Sequence, residues 1–539
     1  MTEVNDAVFH DDYQVVPQTL PKHLDTDQVQ VVSHQWRCIR AWKKIRRRLK
    51  EDRRFKGKVY YSVCIYFAFF VIGWIKGQFG PSFPDLRLIC GVDIEKGSWI
   101  VTTFYIGYTF GSILEGFLYS KVNRKLLFCA CLSILAATVA VIPWCFRFEA
   151  MVSAHFVQGA MEGVLDPGGN AEILRIWGTE GGRTAILGMN FALSVGSVIS
   201  PLATGPFLAE TRQNKTSTNN ATDGSIFLNS TFDQSLESTH VSYPINTSFP
   251  YNISTIWNVI ENKSLVYNED EPQPVTRLYI AFSITAVLSF LTALSFFTFN
   301  TILPEREKEN GSLVPSDISE KSLTRHLPKR TQVIALSIIG ASLFTFNAID
   351  EAFIAYLSTF CNTFFHWTNS SGALVTSLLF IFNLSTRLVY LVVSKWLNSL
   401  VCVGIHSCAM FFSLLGFLFV SLYMVETGVW IFVALFGYGK SVLFALLFSW
   451  TNEYLTPVTG KISSAFFISA MVGSSLNPLL LGYLMEQVAT IWFGYLFAIE
   501  GALLVLLYIV GVIVTKHVTS RYGGVYKIKE EETQFSTKL

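Results

Sequence analysis

Charge is scarce in this 539-residue chain. Asp, Glu, Lys and Arg make up 15% of it, against roughly a quarter of an average soluble protein, while 51% is hydrophobic and 14% aromatic. Catalytic signatures are missing as well. No G-x-S-x-G, H-E-x-x-H, Walker or dinucleotide pattern occurs where it could be used, so nothing supports nucleophilic, metallohydrolase or nucleotide-driven chemistry. Gly437-Tyr438-Gly439-Lys440 lies inside an apolar run and reads as packing or a cavity wall, not as a phosphate loop. The nine cysteines show no metal or redox spacing. Cys64, Cys129, Cys131, Cys402 and Cys408 fall in apolar runs as small hydrophobes, whereas Cys90, Cys145 and Cys361 fall near segment ends, where one disulfide among them stays open. No cleavable signal pattern follows Met1. No enzyme activity, resident metal or cofactor is expected, beyond a Na⁺ or H⁺ passing through.

What the chain has instead is about twelve apolar stretches, each long enough for a hydrocarbon layer of roughly 30 Å. They lie near 59–80, 98–119, 126–145, 149–174, 184–208, 277–299, 331–357, 372–394, 400–424, 429–452, 463–485 and 491–515. A polar gap at 209–276 follows the fifth, and a charged gap at 300–330 follows the sixth. The expected class is therefore all-α, a polytopic membrane protein of two six-helix sets. A basic tail (1–58) precedes spans one to five (59–208), and a polar tail (516–539) follows spans seven to twelve (331–515).

Orientation follows from two independent patterns. Lys121, Arg124, Lys125, Arg183, Lys395 and Lys461 fall on one set of short connections, and the six–seven gap adds Arg306, Lys308, Lys321, Arg325, Lys329 and Arg330. The connections at 359–371, 425–428 and 486–490 carry no lysine or arginine. Basic loops stay inside, so both termini are expected in the cytosol of a multi-pass plasma-membrane protein. The basic run from Arg37 to Lys58 fits that flank, and lipid headgroups rather than nucleic acid are its expected neighbours. The gap at 209–276 holds six N-x-S/T sequons, at Asn214, Asn220, Asn229, Asn246, Asn252 and Asn262, which points to glycosylation outside. Asn369 is a further sequon in an outward loop.

The stretch Gly159–Gly178, GAMEGVLDPGGNAEILRIWG, is the least ordinary part of the chain. Glu162, Asp166 and Asn170 recur every four residues and share a helix face. Pro167, Gly168 and Gly169 should bend the helix. In a membrane such a face is tolerable only against protein or a wet cavity.

Several blocks carry a resemblance. Twelve spans as six plus six, with Gly116-Phe117-Leu118-Tyr119-Ser120-Lys121-Val122-Asn123-Arg124-Lys125 after span two, resemble the major facilitator superfamily and its G-x-x-x-D-[RK]-x-G-[RK]-[RK] signature. Ser120 stands for the usual Asp and Asn123 for the usual Gly. Gly80-Pro81-Ser82-Phe83-Pro84-Asp85-Leu86, Gly107-Tyr108-Thr109-Phe110-Gly111-Ser112, Leu165 to Asn170 with Ile176-Trp177-Gly178, and Ser200-Pro201-Leu202 are similar to the sodium-dependent glucose transporter 1 branch, grouped with major facilitator superfamily domain-containing protein 4. Lys76 and Asn190 depart from that branch. The resemblance implies a major facilitator fold and sodium-coupled uptake of a hexose by alternating access. An H⁺-coupled or facilitative carrier of another solute, such as an organic anion or urea, and a receptor-like protein without transport stay open beside it. A monomer binding a small solute is expected.

Within that frame, Glu162 and Lys440 are expected to face each other near the membrane centre, since spans four and ten are counterparts. Glu162 and Asp166 are close enough that a proton or cation should relieve them, or Asp166 caps loosened backbone. Lys76 is expected to meet Asp350 or Glu351 as an outer-gate pair, and Arg387 to join the cavity or snorkel to the interface. Gln78, Asn170, Asn190 and Trp450 are the candidate solute contacts, with Asn383 and Asn477 also available.

Overall fold

The computed structural model describes residues 52–118, 121–209, 276–302, 328–393 and 398–523. The six sequons between 214 and 262 and Ser120 lie outside the described residues. Every expected span forms a helix, as backbone that cannot bond to water in lipid must bond to itself. Span one is Arg53–Cys90, two Ile94–Leu118, three Arg124–Val141 and six Leu278–Ile302. Spans four and five are the two arms of Phe148–Thr204. Spans seven, eight and nine are Lys329–Phe364, Asn369–Val393 and Ser399–Leu422. Span ten is Glu426–Lys440 followed by Leu443–Trp450, and Gly460–Tyr483 and Trp492–Tyr522 complete the set. Among the described residues, ten helices are long and apolar enough to cross a membrane on composition alone. Span two and the acid-bearing first arm of Phe148–Thr204 are the two that fall short. Phe117, Val287, Val389 and Ile513 are each more than half exposed, an apolar perimeter suited to lipid.

Span one runs to Cys90 through Pro81 and Pro84, well past the expected end at residue 80. Helix continues through Pro167–Gly169 without a break, and the interruption in helical geometry falls at Gly178, whose φ of 69° suits a residue without Cβ. Gly169 serves packing instead: a Cβ there would lie 2.4 Å from the Phe69 ring.

The seam between spans two and four sets up the site. Gly107 and Gly111 face Gly159 and Gly163, and added Cβ atoms would sit 2.0 Å from Ala160 O at Gly111 and 2.0 Å from Phe104 O at Gly159. Small residues four apart let two backbones touch. That contact puts Tyr105 and Tyr108 of span two beside the acids of span four. The C-terminal half is held by packed rings, Phe353 lying tilted 4.2 Å from Phe436 and Phe360 stacked 4.5 Å from Phe493 between centroids. Each such pair adds about 0.5–1.5 kcal/mol to burial. The halves meet along spans one and seven, two and eleven, and five and eight.

Candidate functional site

Between the halves lies a cavity of about 280 Å³, walled by spans one, two, four and five and by seven, eight, ten and eleven. It is at the small end for ligand pockets and holds seven acidic or basic side chains of the kind lipid excludes. Lys76, Glu162 and Asp166 come from the N-terminal half, and Asp350, Glu351, Arg387 and Lys440 from the other.

Two ion pairs form among them. Lys76 donates to Glu351 Oε1 at 2.6 Å, and the Tyr105 hydroxyl donates to Oε2 of the same carboxylate at 2.6 Å. Lys440 pairs with Asp350 inside the C-terminal half. Adjacent acids on span seven thus serve opposite halves. Arg387 has only neutral hydrogen-bond partners among the described residues: its Nε donates to the Ser441 carbonyl at 3.1 Å and its Nη1 to Ser194 Oγ at 3.1 Å. That carbonyl is free because span ten breaks just after Lys440, and backbone freed in this way is tolerated where it lines a cavity.

Glu162 and Asp166 are the acids without a cation. Glu162 is 3% exposed and, among the described residues, accepts only from Gln158 Nε2 at 3.3 Å. Asp166 accepts from the Tyr108 hydroxyl at 2.6 Å and from Asn170 Nδ2 at 3.0 Å. Among the described residues neither has a salt bridge. Four carboxyl groups against three bases leave one acid of the cavity without a basic counterpart. Two carboxylates flanked by hydroxyl and amide oxygens suit a hard cation or a proton.

Several expectations need correction. Glu162 and Lys440 do line one cavity, but Lys440 binds Asp350, which shares its half and lies closer. Lys76 meets Glu351 as expected, yet mid-helix rather than near an outer end, because span one continues to Cys90 and span seven to Phe364. Gln78 and Trp450 are not cavity residues. Gln78 accepts from Thr285 Oγ1 at 2.7 Å in its own half, and Trp450, fully buried, donates to Thr515 Oγ1 at 3.1 Å. Asn170 turns its amide to Asp166, and Asn477 donates to Ala348 O and Glu500. Asn190 and Asn383 do line the cavity. Arg387 does not snorkel. Tyr105, Tyr108, Gln158 and Ser194 went unnoticed in the sequence as site residues. The block Gly107 to Ser112 held a signal, since the glycines that bring span two onto span four fix where its tyrosines point.

At the end where the 210–275 connection leaves (the sequon end), the halves are closed. Asn369 Nδ2 donates to Asp85 Oδ1 at 3.1 Å and to the Ala209 carbonyl at 2.7 Å, while Asp85 Oδ2 accepts from Ala209 N and from Thr276 Oγ1. Glu486 accepts from Ile94 N and Glu95 from Gln487. Asn369 is 7% exposed with its amide nitrogen engaged twice, so the glycan expected on it has no place in this state. Among the described residues, hydrogen bonds between the halves run from Arg387–Ser194 toward the sequon end. The cavity lies on the basic side of that closure.

Two six-helix halves around a charged central cavity, closed at one end, define a transporter of the major facilitator class, and residues 64–211 match the Major Facilitator Superfamily profile. Crystal structures of the nucleoside transporter NupG share the fold. One superposes with a TM-score of 0.54 at 13% identity, over 85% of this chain and 99% of that one. A point mutant of the same transporter gives a TM-score of 0.56 over 84% of this chain. The chain's curated relatives lie in the branch of sodium-dependent glucose transporter 1 and domain-containing protein 4. It is 22% identical over 410 residues to sodium-dependent glucose transporter 1 of Xenopus laevis, covering 75% of this chain and 72% of the relative. For the Danio rerio counterpart the identity is 24% over 429 residues, 79% of this chain and 64% of the relative. Major facilitator superfamily domain-containing protein 4A of Mus musculus is 27% identical over 145 residues, 26% of this chain and 28% of the relative.

Proposed function

We propose that the protein moves a small neutral polar solute, a hexose by preference, together with one Na⁺ by alternating access. The observation that carries this reading is the unequal pairing in the cavity: Lys76 and Lys440 are neutralised, while Glu162 and Asp166 are not. One monovalent cation between them restores neutrality, and a neutral solute then adds no further charge to bury. The names of the relatives favour sodium and glucose over H⁺ and other solutes.

In this reading the sequon end faces outside, with glycans on Asn214, Asn220, Asn229, Asn246, Asn252 and Asn262 and both termini in the cytosol of the plasma membrane. The state described here then faces inward, and the protein works as a monomer. Uptake of labelled glucose by cells expressing the chain, in Na⁺ and in choline medium at several pH values, is the test. Sodium-dependent uptake is expected, lost in Glu162→Gln and Asp166→Asn. Uptake that followed pH and ignored Na⁺ would replace Na⁺ with H⁺, and absence of any uptake would sink the reading.

A further inference from the structure

Two cysteines of the N-terminal half meet at the sequon end. Cys90 is the last residue of span one. Cys145 follows the short turn Ile142–Trp144 at the corner between spans three and four, where the backbone leaves helical geometry at φ −82° and ψ 77°. The Cys90 thiol donates to the Cys145 carbonyl oxygen at 3.3 Å. Covalent geometry therefore holds the Cys90 sulfur within roughly 6 Å of the Cys145 Cα. The Cys145 thiol makes only a long bond of 3.5 Å to Val141 O, which a turn about its Cα–Cβ bond gives up. Cys90 is partly open to solvent, and both are free thiols in this structure. Cys361 is fully buried in span seven of the other half, so it does not compete.

We propose that Cys90 and Cys145 form a disulfide that fastens the end of span one to the corner between spans three and four. This rests on the orientation given above, which puts both thiols on the oxidising side of the membrane. The bond forms by exchange with the disulfide of a secretory-compartment oxidoreductase. One cysteine attacks the carrier as thiolate, and the other displaces it from the mixed disulfide. One S–S bond is made and one is broken, and the two electrons and two protons end on the carrier's sulfurs. Both cysteines belong to one half, so the bond leaves the halves free to move against each other. It does fix the outer end of the helix that carries Lys76 into the cavity and Asp85 into the closure.

The test uses full-length protein from the cell surface, denatured in N-ethylmaleimide, digested, and compared by mass spectrometry with and without reduction. A Cys90–Cys145 linked peptide is expected, with alkylation of either residue only after reduction. Cys361 should be alkylated without reduction in the same sample. Cys90→Ser, Cys145→Ser and the double variant should lower the thermal midpoint by the same few degrees, the double by no more than either single. Glycosidase digestion of the same protein reports its orientation separately. Glycosylated protein with both thiols alkylated before reduction overturns the disulfide alone. Protein without glycans and with free thiols overturns the orientation and the disulfide together.

Discussion

Asn369 donates its amide proton to Asp85 across the boundary between the two halves, and the same nitrogen holds the Ala209 carbonyl. A buried carboxylate whose donors among the described residues are all neutral is thus the centre of the closure at the sequon end. A hydrogen bond to a charged group contributes about 1.5–3 kcal/mol. Asn369→Ala should therefore shift the balance toward the form open at the sequon end, outward-open in the proposed orientation, by roughly 10- to 100-fold. A cysteine placed at Phe104, on the cavity wall, should then react faster with a membrane-impermeant thiol reagent added outside. An unchanged rate would remove Asn369 from the closure. Peptide mapping should also find Asn369 unglycosylated.

Lys76 and Glu351 join the halves at the cavity itself. Lys76 is 32% exposed and Glu351 11%, so their coupling should fall short of a fully buried pair, at about 1–2 kcal/mol. A double-mutant cycle with Lys76→Ala and Glu351→Ala, read by transport rate, should be non-additive by that amount. The equivalent cycle on Glu162 and Lys440 should be additive. Coupling in the second cycle and none in the first would reverse the assignment of partners.

The Tyr108 hydroxyl on Asp166 offers a finer probe of the proposed cation site. Tyr108→Phe removes one donor to a carboxylate, worth about 1.5–3 kcal/mol, and leaves the ring in place. The half-saturating Na⁺ concentration should change by roughly tenfold or more, with the solute KM at saturating Na⁺ little altered. A change confined to the solute KM would place Asp166 in the solute site instead.

The glycine seam predicts a contrast in stability. Gly111→Ala forces a Cβ to 2.0 Å from a backbone oxygen, and overpacking of this kind costs about 1–3 kcal/mol. Gly116→Ala, with nothing within 4 Å of the new atom, should be neutral or slightly stabilising. Thermal unfolding in detergent should show a clear drop for the first and none for the second.

The spans were readable in the sequence because each crossing needs a fixed length of apolar chain, and Lys76–Glu351 because a charge in lipid needs a partner in a neighbouring helix. Depth was less readable. Apolar character fades near residue 80, but Pro81 and Pro84 do not stop the helix, so Lys76 looked peripheral when it is central. The facing of Gln78 and Trp450 depends on helix rotation: Thr285 and Thr515 claim them from within their own halves. Asn369 shows the sharper lesson. Its sequon is a local pattern, whereas its burial comes from Asp85 and Ala209, which are remote in the chain, belong to the other half and reach it only across the closed boundary.

Asp350 and Glu351 follow each other in the chain, yet each grips a lysine from a different six-helix set. A single helical step separates the two grips, so span seven cannot twist to loosen one without dragging the other. News of what occupies the cavity therefore has a rigid shaft to travel along, with Lys440 at one hand and Lys76 at the other.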